Sequence, residues 1–203
     1  CCSMAARRDD IAAGPLHRLA CRRRLRAMAL QHEGRCQGHQ YQQGQYLHRI
    51  GPAQGYQQDA AEAVLDRDFA TLVGGHKSGK TVIALYTLAQ RRQPTLVLIP
   101  KLDLLEGWLT KIENFLQIPR SEVGLFAEGV HQPGQFITIG HTGEVMRFWR
   151  KIWDRIGYLI MDECQRCPSK ILTHLIPNFD CRYMLGLSNT AQRRDRLSKL
   201  VYY

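Results

Sequence analysis

The most constraining stretch of this 203-residue chain is an octapeptide, Gly74-Gly75-His76-Lys77-Ser78-Gly79-Lys80-Thr81. An apolar pentapeptide, Phe69–Val73, runs straight into it, and the apolar run Val82–Ala89 follows at once. Strand, glycine-bearing turn and buried helix in that order, closed by Gly-Lys-Thr, form a phosphate-binding loop. Its glycines let backbone N–H groups turn inward at a helix N-terminus, where they can cradle phosphate oxygens. Lys80 is a point charge for β- and γ-phosphates, and Thr81 offers a hydroxyl to Mg²⁺. The competing reading is a chance glycine-rich turn, and the strand and helix on either side weigh against it.

The alternation continues along the chain. Thr95–Ile99, Phe136–Ile139, Tyr158–Met161 and Arg182–Leu187 read as short apolar strands, the first stopped by Pro100. Ala60, Ala61, Val64 and Leu65 follow helical spacing. Leu102–Leu116 carries apolar residues at helical intervals, and Val145–Trp153 reads as a further helix. Continuous apolar strands separated by helices predict a mainly parallel sheet covered on both faces, an α/β fold over residues 52–203.

Asp162-Glu163 closes the run Tyr158–Met161, so the two carboxylates emerge at the carboxyl end of the sheet, where ligands bind in this architecture. An Asp there can hold Mg²⁺, and a neighbouring Glu can orient and deprotonate a water. Two solvated acids at a strand end are the alternative, and would be preferred if the loop were not present.

Residues 1–51 differ in character. The first sixty residues hold nine Arg, no Lys and four acids, with the run Arg22-Arg23-Arg24-Leu25-Arg26, and residues 31–50 contain six Gln. This Arg/Gln-rich segment is expected to be disordered, with a basic nucleic-acid-binding arm as the sharper reading. The whole chain has 28 Lys+Arg against 18 Asp+Glu, a net charge of +10, which is compatible with a polyanion partner without demonstrating one. No apolar run approaches the ~20 residues of a membrane span. Seven cysteines, an odd number without even spacing, do not suit a disulfide framework. The expected location is therefore intracellular, cytoplasmic or nucleoid-associated. Cys164 and Cys167 form a C-x-x-C, but a zinc site needs further ligands, and only Cys181 and His174 offer themselves downstream.

Taken in order, the loop, Ile99-Pro100-Lys101, Asp162-Glu163-Cys164-Gln165 and Ser188-Asn189-Thr190 resemble superfamily 2 DEAD/DEAH-type helicases, specifically the restriction-subunit-like branch. The resemblance covers about residues 52–203. Asp162–Gln165 resembles the acidic box, with Gln where His is usual, and this accounts for Cys164 as a box residue. Gly186–Asp195 resembles the third motif, with Asn189 and Ala191 where Ala and Pro are common. Tyr56-Gln57 resembles the upstream glutamine motif.

The resemblance implies a P-loop NTPase fold of RecA type, and ATP and Mg²⁺ as cofactors. It implies that Gln57 reads adenine, with Gln58 as fallback, and that Gly74, Gly75, His76, Lys77, Ser78, Gly79, Lys80 and Thr81 surround the phosphates. Thr81 and Asp162 would hold Mg²⁺. Glu163 would position water, with Lys80 and Gln165 as the other catalytic groups, and Ser188 and Thr190 would couple nucleotide to strand. Pro100, Lys101 and Thr142 would lie along a nucleic-acid backbone, DNA in preference to RNA. Their local alternatives are a strand stop at Pro100, a solvated Lys101 and a Thr142 that caps the next helix.

Such helicases use two RecA-like domains with ATP between them, and two domains need roughly 300–400 residues. Little chain follows Thr190, so no second domain is expected here. It would join in cis or in trans, bringing an arginine finger that can be worth about 10³–10⁵ in rate. The chain alone is then expected to bind ATP, hydrolyse it weakly and separate no strands. The alternative function is a truncated, non-enzymatic ATP-binding or nucleic-acid-binding regulatory module.

Overall fold

The computed structural model describes residues 55–179 and 181–190, so the expectations for residues 1–51 and for residues 191–195 of the third motif lie outside the described residues. Seven strands form one sheet: β1 (Phe69–Val73), β2 (Thr95–Ile99), β3 (Gly124–Ala127), β4 (Val130–Gln132), β5 (Ile137–His141), β6 (Tyr158–Met161) and β7 (Tyr183–Ser188). Their spatial order is β1-β7-β6-β2-β5-β3-β4. Every pairing is parallel except the β3–β4 hairpin.

Among the described residues four α-helices accompany the strands: α1 (Gly55–Leu65), α2 (Lys80–Arg91), α3 (Leu105–Leu116) and α4 (Thr142–Phe148). The run Leu102–Leu116 divides into a 3₁₀ turn, Leu102–Leu104, and α3. The expected helix Val145–Trp153 begins earlier, at Thr142, and closes in a 3₁₀ turn, Trp149–Lys151. The N-cap of α4 is His141, with no side-chain cap bond, so Thr142 is the first helical residue and not its cap. Among the described residues no helix is long and apolar enough to cross a membrane.

The period-two alternation of strand side chains sorts the core into two layers. Val97, Ile99, Tyr158 and Ile160 face the layer built by α1, α2 and α3, which includes Ile83, Leu85, Trp108 and Ile112. Leu96, Leu98 and Leu159 face the opposite layer, with Phe126, Val145, Ile152, Ile171 and Phe179. All five residues of β2 are buried, as expected of a central strand covered on both faces.

Arg91, near the end of α2, fastens the first layer. One of its guanidinium nitrogens donates to Val64 O (2.8 Å) and Arg67 O (2.6 Å), and the group stacks 3.9 Å from the Tyr183 ring centroid and 4.8 Å from that of Tyr158. The β3–β4 hairpin, for which the apolar pattern gives no signal, turns on Glu128 and Gly129, with φ of 52° and 81°. Positive φ at both central residues is what a tight two-residue hairpin turn demands.

Candidate nucleotide site

Parallel pairing brings the carboxyl ends of β1, β7 and β6 to one edge of the sheet. The Gly74–Thr81 loop leaves β1, Asp162-Glu163 leaves β6, and Ser188-Asn189-Thr190 leaves β7 between them. A hydrogen bond from Gly74 N to Ser188 O (3.0 Å) staples the loop's start to the end of β7.

The loop closes on Gly79, the N-cap of α2, at φ 80°. A Cβ there would lie 2.1 Å from Gln57 Nε2, so the first turn of α1 rests directly on the loop. The Tyr56 hydroxyl donates to Ser78 O at 3.4 Å and accepts from Gln57 Nε2 at 3.4 Å. Gln58 turns away along its own helix to Glu62 (3.1 Å). Gly75, His76 and Lys77 are exposed, whereas Ser78 Oγ is buried with no partner among the described residues.

Lys80 Nζ donates to Gly74 O (2.7 Å), Gly75 O (2.8 Å) and Asn189 Oδ1 (2.7 Å). The Asn189 amide in turn donates from Nδ2 to Glu163 Oε1. The other Glu163 oxygen accepts from Gln165 Nε2 and lies 3.5 Å from Arg166 Nε. Glu163 has φ 45° and ψ 44°, a left-handed conformation that costs a non-glycine residue about 1–2 kcal/mol. Its own N–H donates to Asp162 Oδ1 at 2.9 Å.

Asp162 is fixed from the opposite side. Its backbone N–H donates to Leu98 O (2.9 Å), and its Oδ2 accepts from Trp108 Nε1 on α3 (2.8 Å). Burial pushes the Asp162 carboxyl above its ordinary range, while the bonds from Trp108 and from Glu163 N–H hold it down. Lys111, one turn beyond Trp108, also favours the ionised form of Asp162, and it donates to Thr81 Oγ1 at 3.4 Å. Thr81 and Asp162 therefore share one neighbourhood.

The Ser188 hydroxyl donates to Thr190 O (2.5 Å), and Thr190 N–H returns to Ser188 Oγ (3.2 Å). Pro100 and Lys101 follow β2 and Thr142 follows β5, on the other side of β6 from the loop. Lys101 is exposed; Thr142 is only 6% exposed. Cys164, Cys167 and Cys181 are buried, and among the described residues no three His, Cys, Asp or Glu side chains gather as metal ligands.

Trp108, Lys111 and Asn189 are the site residues that the sequence alone does not flag. Trp108 reads as one more apolar position on an amphipathic helix, and its N–H finds Asp162 only through the fold. Asn189 is visible in the sequence as a departure from a common pattern, without any sign of its two partners.

A mainly parallel sheet of this order, with a glycine loop after its first strand and an acidic pair at the same edge, has a RecA-like fold. The fold has counterparts among solved structures. The UvsW helicase of bacteriophage T4 matches with a TM-score of 0.61 at 15% identity, over 74% of this chain and 57% of that one. The SWI2/SNF2 ATPase core of Sulfolobus solfataricus, solved with dsDNA, matches with a TM-score of 0.57 at 18% identity, over 72% of this chain and 34% of that one.

Residues 52–193 match the family described as type III restriction enzyme, res subunit, and the chain belongs to that family. The DNA 3′-5′ translocase XPB2 of Sulfurisphaera tokodaii is 26% identical over 140 residues. That match covers 69% of this chain and 31% of the translocase, so the chain spans well under half the length of its curated relative.

Proposed function

We propose that residues 52–203 are the ATP-binding half of a DNA-dependent motor, with residues 1–51 a separate basic segment. The observation that carries this reading is the meeting of Lys80, Glu163, Asp162 and Thr81 at one sheet edge, on loops far apart in sequence. DNA is favoured over RNA because the S. tokodaii relative is a DNA translocase and a structural counterpart was solved with dsDNA.

The residues fit ATP and Mg²⁺. The loop turns at a left-handed Gly79, leaves Ser78 Oγ buried without a partner among the described residues, and opens a twelve-residue helix whose N-terminus favours anions. Thr81 and Asp162 provide the hard oxygen donors that Mg²⁺ prefers. When bound, Mg²⁺ would neutralise phosphate charge and draw electrons from the bond to be cleaved.

Lys80 would exchange its loop carbonyls for β- and γ-phosphate oxygens. Glu163, steadied by Gln165 and Asn189, would orient the attacking water and take its proton. Gln57, lying on the loop, would read the base. Ser188 and Thr190 would relay changes at β7 to the strand-binding surface, formed in part by Pro100 and Lys101, whereas Thr142 is too buried to reach a strand. A second RecA-like domain, in cis or in trans, would complete the site and supply its arginine.

Titration with a fluorescent ATP analogue and Mg²⁺ tests the reading. Lys80→Ala should weaken binding about tenfold or more, since hydrogen bonds to a charged group are worth about 1.5–3 kcal/mol each. Glu163→Gln should bind normally and lose DNA-stimulated hydrolysis. Unchanged affinity in Lys80→Ala would remove the basis for the assignment.

A further inference from the structure

Asn189 is held between the two charged groups on which the proposed function rests. Its Oδ1 accepts from Lys80 Nζ at 2.7 Å, and its Nδ2 donates to Glu163 Oε1. The partners fix which way the amide points. Turned over, it would set NH₂ against an ammonium and a carbonyl against a carboxylate. A carboxamide can accept from a cation at one end and donate to an anion at the other, and an alkyl side chain can do neither.

The fold explains why one side chain reaches both. Asn189 is the first residue after β7, and β7 is hydrogen-bonded to β1 on one side and β6 on the other. The loop that carries Lys80 leaves the first neighbour, and the turn that carries Glu163 leaves the second.

The two contacts have opposite consequences for a nucleotide. Lys80 is held by Asn189 in competition with any phosphate oxygen that would take its ammonium. Glu163 is fixed by the same amide, together with Gln165 and Arg166, in one orientation. We propose that Asn189 is a positioning residue that restrains Lys80 until phosphate displaces it and that aims the Glu163 carboxylate for hydrolysis. This rests on the ATP-binding reading given above. When Lys80 moves to phosphate, the amide oxygen loses its cation while its NH₂ keeps Glu163, so Asn189 senses an occupied loop and reports it to the end of β7.

Two substitutions separate this role from a structural one. Asn189→Ala removes both bonds. Lys80 is then less restrained and Glu163 less fixed, so the ATP analogue should bind about three- to tenfold tighter while kcat for DNA-stimulated hydrolysis falls by a similar factor. Asn189→Asp keeps an acceptor for Lys80, now charged, and sets a like charge beside Glu163. The analogue should bind several-fold more weakly, and kcat should again fall. Affinity thus moves in opposite directions while turnover moves in one.

Titration of the full 203-residue chain with the fluorescent ATP analogue reads the first effect without any turnover, and thermal melting controls for folding. If wild type fails to bind the analogue, the ATP-binding reading fails, and this inference with it. If wild type binds and both variants match its affinity, the inference alone is overturned. Equal weakening in both variants, in step with a lowered melting temperature, also overturns it, since that is the signature of a merely structural residue.

Discussion

Replacing Trp108 with Phe separates the electrostatic from the packing contribution of one buried side chain. Trp108 is 2% exposed, and its indole N–H donates to Asp162 Oδ2 at 2.8 Å. Burial lifts Asp162 above its ordinary 3.8, and the Trp108 bond opposes that lift. Phe retains most of the apolar ring but cannot donate, so the carboxyl stays buried and its titration moves higher still. A bond to a charged group contributes about 1.5–3 kcal/mol and one to a neutral group about 1 kcal/mol. The variant should therefore lose about 0.5–2 kcal/mol more where Asp162 is ionised than where it is protonated. The smaller ring adds about 1–1.5 kcal/mol of lost apolar burial at every pH.

The sign follows from linkage. A carboxyl whose folded pKa lies above its unfolded value binds its proton more tightly when folded. Its stabilising protonation is fully present below 3.8 and is lost as pH rises through the elevated folded value. Trp108→Phe raises that folded value, so its deficit should be smallest near pH 4 and larger near pH 8. Urea unfolding of wild type and variant in a chelator, followed by circular dichroism across that range, measures the difference. A deficit constant with pH would show that the indole N–H does nothing for the ionised carboxylate, and would refute the reasoning.

Gly79→Ala places a side chain at φ 80°, at a cost of about 1–2 kcal/mol, and its Cβ displaces Gln57 Nε2 from 2.1 Å. Melting should shift modestly and ATP-analogue affinity should fall further than stability, and normal affinity would count against the contact between α1 and the loop. Arg91→Lys keeps the charge but loses the planar group that bonds Val64 O and Arg67 O while stacking on Tyr183. Thermal melting should show a loss of about 1–3 kcal/mol, with ATP-analogue affinity retained.

Much of the fold is legible in the sequence because β2, after Thr95, and β6 are continuous apolar runs, as strands covered on both faces are. The loop is legible for a related reason: Gly79 and Lys80 are demanded locally, by a left-handed cap and a required charge. The β3–β4 hairpin is not, because Glu128-Gly129 lacks the Asn-Gly or Asp-Gly signature and β4 has only three residues. The start of α4 is displaced because His141 closes a strand and caps a helix at once, leaving no polar cap residue between them.

The illegible part of the site has its origin in the topology and packing of the domain. Among the described strands β7 comes last in chain order, yet in the sheet it lies between β1 and β6. That insertion puts Asn189 beside Lys80 and Glu163, which precede it by 109 and 26 positions. Similarly, α3 packs on the sheet face below the acidic pair, and this alone delivers the Trp108 N–H to Asp162 across 54 positions. Local pattern can identify a lysine that needs a phosphate or an acid at a strand end. It cannot say which neutral side chain will stand between them, because that depends on strand order, and strand order depends on how two apolar layers are divided across one sheet. The charged groups of the site follow from local chemistry, whereas the groups that hold them in register follow from the packing of the whole domain.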